Sequence, residues 1–190
     1  MFVDGFPKSI FSAVDEAVST MPYQLVGNIR NAVSSNDIQY MLDGVLIQFP
    51  YRIYYIDVSD EDLQALDTTQ AMILHCIYSR HCDGFVREKH LRALLNMDFQ
   101  AWAVPYIVKV CDEYVVELIE LIYNSLKYQT NAIIKQFCAE NYSSFCKSYN
   151  RMISYWDAYY RCDCPDFHQY VGRKLFIECF GAKRTMNCIK

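Results

Sequence analysis

Apolar side chains recur at steps of three and four along most of this chain, and that spacing restricts its fold more than any other feature. Between Val115 and Leu126 they fall at Val115, Leu118, Ile119, Ile122 and Leu126, which line up on one face of a helix. Ile73, Leu74, Ile77 and Tyr78 repeat the pattern, as do Val86, Leu91, Leu94 and Leu95, and then Tyr149, Met152, Ile153, Trp156 and Tyr160. Six Gly and five Pro in 190 residues are too few to punctuate an all-β sandwich, which needs a turn every 8–12 residues or so. The expected fold class is therefore all-α: an irregular helical bundle of stacked antiparallel helix pairs.

Expected helices run over 7–20, 22–34, 37–48, 60–66, 68–81, 84–96, 99–110, 113–127, 130–140, 143–161 and about 165–180. Pro7, Pro22 and Pro165 sit where a first helical turn tolerates proline, and Gly181 is placed to end the last helix. Phe49–Val58 departs from the pattern: its rings and β-branched residues behind Pro50 favour an extended connector. The chain then reads as a single helical domain over 1–190, with 1–48 as an N-terminal cap and 59–180 as the main stack.

Composition narrows the function. An apolar fraction of 53% with a net charge of −4 excludes disorder. The longest clean apolar run, Ala101–Val108, is far shorter than the roughly 20 residues a bilayer needs, so no membrane association is expected. Eighteen Lys and Arg against 22 Asp and Glu offer no basic face for nucleic acid; the densest cluster is Lys183, Arg184 and Lys190 in the tail. The N-terminal segment lacks a basic region followed by a long apolar one, so no signal peptide is read. The nine cysteines are then expected to stay reduced in the cytoplasm.

Asp83 and Asp112 each precede by three residues a Val that opens an apolar stripe, and they stand 29 residues apart. Asp is a strong helix N-cap, because its carboxylate accepts an orphan backbone N–H. A spacing near 30 with paired helices fits a helical solenoid. The Asp83-x-x-Val86-Arg87 string, and Trp102-Ala-Val-Pro105 followed by Asp112 and Val115, resemble the helix-pair junctions of HEAT-like repeats over about residues 68–127. That resemblance implies an α-α superhelix in which Asp and Arg87 form a polar ladder; Val116 and His90 depart from the pattern. The strings SRHCDGFVREKHL, EYVVELIE and RMISYWDAYYR also resemble an uncharacterised bacterial protein family, which brings no activity with it.

The densest chemistry is His75, Cys76, His81, Cys82 and His90. Zinc sites want paired ligands at CxxC or HxxxH spacing, and no such pair occurs, so a structural role is expected and neither metal nor cofactor. Cys162, Cys164 and His168 form a second thiol cluster, whose C-x-C pair suits a soft metal or a redox-sensitive pair, but a turn before Pro165 explains the spacing equally well. No GxSxG, phosphate-cradling loop or HExxH is present, and no catalytic residue is expected. The most distinctive segment is Arg151–Arg161. Its Arg151, Tyr155 and Tyr159 share a face, and Asp157 and Arg161 stand at i, i+4. Tyr and Arg anchor protein interfaces, so Arg151, Tyr155, Asp157, Tyr159 and Arg161 are candidates for binding a partner. The expected function is a non-enzymatic protein-binding module: an adaptor or scaffold, or an immunity-like inhibitor of a basic protein. Its competitor is a metal- or thiol-dependent enzyme or sensor built on His75, His81, Cys82 and His90.

Overall fold

A computed structural model describes residues 2–22, 25–26, 29–30 and 32–183. Arg184 and Lys190 of the basic tail, and parts of the helix expected over 22–34, lie outside the described residues. The chain is mainly helical and divides into two compact units, Met1–Tyr106 and Ile107–Lys190. No described helix is long and apolar enough to cross a membrane, and the eight described cysteines are all free thiols.

The first unit opens with α1 (Phe11–Ser19), which buries Val14 and Ala17. Short strands follow: β1 (Leu25–Val26) pairs with β2 (Ile29–Arg30), and β3 (Ala32–Val33) with the later β6 (Ile53–Tyr54). Then β4 (Asp37–Leu42) and β5 (Val45–Pro50) form an antiparallel hairpin. These strands replace the helices expected over 22–34 and 37–48. The reason is local chemistry at Asp43-Gly44, where φ is +50° and +78°. Two left-handed residues make the tight turn whose twist matches paired strands, and Asp-Gly is among the sequences that adopt it most readily. Tyr40 and Leu42 alternate inward from β4, and Ile47 and Phe49 from β5, a period of two that overrides the weaker helical spacing.

Four helices complete this unit. They are α2 (Asp60–Gln64), α3 (Thr68–Tyr78), α4 (Gly84–Leu95) and the start of α5 (Val104–Val110). Asp67 and Gln70 form a reciprocal capping box on α3. Asp83 caps α4, its carboxylate accepting the Phe85 N–H at 2.8 Å. Asp83→Ala should therefore cost about 1 kcal/mol in chemical unfolding; no measurable change would remove the cap. Arg87 donates to the carbonyls of His81 and Cys82 at 2.9 and 3.0 Å, which ties α4 to the end of α3.

The segment 49–58 contains no helix. Its middle is zipped to the chain leaving α3: Ile53 N–H bonds Arg80 O, and Cys82 N–H bonds Ile53 O, both at 2.9 Å. This pairing fixes the register of Tyr55, Ile56 and Asp57 against α3 and α4.

The second unit contains the rest of α5, then α6 (Val116–Leu126), α7 (Ala132–Glu140), α8 (Tyr142–Tyr155) and α9 (Val171–Lys174). Both α8 and α9 run on into a wide π turn, at Trp156–Tyr160 and Leu175–Cys179. The core is Leu118, Ile119, Ile122 and Leu126 of α6 against Leu175, Phe176 and Cys179. Around Phe176 the rings of Phe145, Tyr149 and Phe180 stand 5.3–5.4 Å away. Asp112 is not the cap of α6; Val115 holds that position and makes no side-chain cap bond. The Asp112 carboxylate turns inward instead, accepting Lys109 Nζ at 2.9 and 2.7 Å, Ser148 Oγ at 3.3 Å and Arg151 Nη1 at 3.1 Å.

Candidate functional site

Two constellations stand out, one in each unit. In the first unit the connector residues Tyr55, Ile56 and Asp57 each engage a ring from α3, α4 or the link between them. His81 Nε2 meets the Tyr55 carbonyl at 2.7 Å, Tyr78 donates its hydroxyl to the Ile56 carbonyl at 2.8 Å, and His90 Nε2 meets Asp57 Oδ1 at 2.6 Å. Lys89 holds the other Asp57 oxygen at 2.9 Å and Asp60 at 2.9 Å. The Tyr78 ring stacks on His90 at 4.7 Å.

His90 Nδ1 in turn lies 2.8 Å from Nδ1 of His75. Chemistry then orders the protons. An ionised Asp57 accepts from His90 Nε2, so His90 Nδ1 offers a lone pair and His75 Nδ1–H donates to it. Both imidazoles are neutral in this arrangement. Burial, with the neighbouring His90 ring and the Lys89 ammonium, depresses His75 to about 4, outweighing the opposite pull of Asp57. Burial also lowers His90, against the pull of Asp57. Burial pushes the Asp57 carboxyl up, but the bonds from His90 and Lys89 outweigh it and leave it below its ordinary value.

Of the four residues singled out in this region, the fold thus joins His75 and His90. His81 points its Nδ1 at the Asp83 N–H, 3.0 Å away, and the exposed Cys82 thiol is 4.0 Å from that same nitrogen. Among the described residues, no three His, Cys, Asp or Glu side chains converge as an ion would need. Asp57 was missed by sequence reasoning. Its only local signal is a carboxylate inside an aromatic, β-branched run.

In the second unit the helix register changes at the π turn Trp156–Tyr160. Such turns insert an extra residue and are frequent at functional sites. Here the turn brings Tyr159 and Tyr160 side by side, their rings 6.4 Å apart. The Tyr160 hydroxyl accepts the Val116 N–H at 3.3 Å and donates to the Tyr114 carbonyl, so it satisfies an orphan donor at the start of α6. Tyr114, Tyr155 and Tyr159 then form one cluster, with ring centroids 6.1–6.2 Å apart. Tyr114 is 58% and Tyr159 62% exposed.

The candidate contact residues separate accordingly. Tyr155 and Tyr159 belong to this cluster. Arg151 is drawn to Asp112 at 3.1 Å. Asp157 and Arg161 pair with each other at 2.8 Å on the surface, an exposed bond of small worth. Sequence spacing missed Tyr114, which lies 41 residues from Tyr155 in the chain and reaches it only through the fold. Cys162 is exposed, and the Cys164 thiol donates to the Asp166 carbonyl at 3.5 Å; His168 places its N–H on Asp166 at 2.8 Å. No family model, no curated protein and no solved structure matches this chain.

Proposed function

We propose that this chain is a non-enzymatic protein-binding module, an adaptor, scaffold or inhibitor that takes a basic protein partner through the Tyr114–Tyr155–Tyr159 face. The observation that carries the reading is the packing of these rings into one patch whose outer members are more than half exposed. Tyrosine supplies large, rigid contact area at low entropic cost, with a hydroxyl for the wet rim. The net charge of −4 favours encounter with a basic surface. The reading includes a HEAT-like stack of helix pairs, supported by α3 packing on α4, and a bacterial, cytoplasmic setting.

The test is a quantitative capture with wild-type protein and with Tyr114→Ala/Tyr159→Ala, at low and raised salt. A basic protein recovered by the wild type should fall at least about tenfold in the double variant, and fall again as salt rises. Equal recovery by the double variant would remove this face from the reading.

The Asp57–His90–His75 chain favours a second reading, an enzyme or sensor in which His75 Nε2 is a general base. That chain supplies a base and orients it. The exposed Cys82 thiol lies 4.0 Å from His81, which is not a member of that chain.

A further inference from the structure

The inner face of the β4–β5 hairpin carries an apolar strip that is covered at one end only. Side chains on a strand alternate between faces, so Val45, Ile47 and Phe49 of β5 point the same way. Leu42 stands directly opposite Val45 in the register and shares that face. At the end away from the turn, rings seal the strip. Tyr106 stacks on Phe49 at 4.2 Å, Phe6 stacks on Tyr106 at 5.3 Å, and Trp102 meets Phe6 edge-on at 5.6 Å. Phe49 and Ile47 are each 1% exposed, yet Val45 on the same face is 56% exposed.

The uncovered end borders a cavity of about 360 Å³, walled by Leu42, Val45 and Ile47 of the hairpin together with Pro7, Lys8 and Trp102. An apolar cavity of roughly 150 Å³ holds benzene, so this one has room for two fused rings or a chain of about eight carbons. The ring contact with Phe6 fixes Trp102, so the wall is formed in advance. Two wall residues carry charge. Asp43 already has an interaction partner. Lys8 is exposed, and no described residue takes its ammonium in an ion pair or hydrogen bond. The charge left to be matched at this cavity is therefore positive.

We propose that this cavity binds a small apolar monocarboxylate. The apolar body lies on Leu42, Val45 and Ile47 beside the Trp102 indole, taking that surface from water. The carboxylate meets the Lys8 ammonium, whose flexible four-carbon stem can follow it. A neutral analogue forgoes this ion pair, and an amine meets a like charge. The body can be an alkyl chain or a fused ring; the shared chemistry is an acid group on an apolar frame. The cavity belongs to the first unit and the tyrosine face to the second, so either can fail without the other.

The experiment is calorimetric titration of the whole protein with octanoate and naphthoate. Octanamide and naphthamide are the neutral controls, and octylammonium is the cationic one. At least one acid should bind with a dissociation constant on the order of 1 mM or tighter. At low salt its amide should bind about threefold more weakly, the size of an exposed ion pair, and the gap should close as salt rises. Octylammonium should bind more weakly than the amide. Tighter binding of octanoate assigns the body to a chain, and tighter binding of naphthoate assigns it to a ring.

Two variants separate the charge from the walls. Lys8→Gln keeps the cavity and removes the ammonium, so acid and amide should bind alike, the amide as in the wild type. Val45→Glu sets a carboxylate on the exposed wall. It should weaken acid binding at least about fivefold and leave the melting temperature unchanged, since Val45 is more than half exposed. The proposal is overturned if the folded wild type binds neither acid, or if acid and amide bind alike in it at low salt. It is also overturned if Lys8→Gln keeps the preference for the acid, or if folded Val45→Glu binds the acid unchanged.

Discussion

Asp112→Asn is expected to destabilise the second unit by about 3 kcal/mol, because it removes the charge opposite a buried ammonium. The Asp112 and Lys109 side chains are each only 5% exposed, and the carboxylate chelates Nζ with both oxygens. Ser148 and Arg151 complete its shell. Removing one member of a buried charged pair costs far more than the pair itself contributes. Lys109→Met/Asp112→Leu should therefore recover most of the loss, although each single change is severe. The measurement is urea unfolding followed by Trp156 in a Trp102→Phe background, which isolates this unit's signal. A loss under about 1 kcal/mol for Asp112→Asn would show that the pair is hydrated and marginal.

Acidification is expected to destabilise the first unit, and the histidine chain sets the window. His75 has its folded pKa depressed from an ordinary 6.5 to about 4, so the unfolded chain binds a proton there before the folded one does. Stability from this group is therefore complete above about pH 6.5 and is lost as the pH falls toward 4, by on the order of 3 kcal/mol. His90, also lowered, acts in the same direction. For His75 the main reason is burial of the ring. For His90 geometry adds to it: its Nδ1 accepts the His75 Nδ1–H across 2.8 Å, and a proton of its own there would set two donors against each other. Asp57 and Lys89 face the chain, with Asp60 beyond Lys89 and the rings of Tyr78 and His81 beside it. Unfolding curves at pH 7 and pH 4.5, read through Trp102 in a Trp156→Phe background, check the slope. His75→Gln keeps a donor toward His90 without the titrating ring, and should flatten it. An unchanged slope in that variant would place the acid sensitivity elsewhere.

Helices were legible where one face carried the signal. The stripe Leu118, Ile119, Ile122, Leu126 is the buried face of α6, and Asp83 caps α4 where its local chemistry puts it. The hairpin was legible too, in Asp43-Gly44 and the alternation on either side, but helical spacing through the same residues obscured it. Asp112 shows the limit of local reading. A carboxylate before a stripe looks like a cap, yet a lysine three residues back and an arginine on a distant helix outbid the backbone for it.

By itself the sequence determined the elements whose signals lie within a turn or two: amphipathic faces, caps, a tight turn, and the absence of a long apolar span. Only the tertiary structure decided that Asp57 meets His90 from 33 residues away, and that Tyr114 joins Tyr155 and Tyr159. The physical reason is range. Backbone hydrogen bonding and helical or strand periodicity act between near neighbours and leave a pattern in the chain. Encounters of side chains across elements depend on packing registers, such as the Ile53 pairing and the π turn at Trp156–Tyr160, that no local pattern encodes.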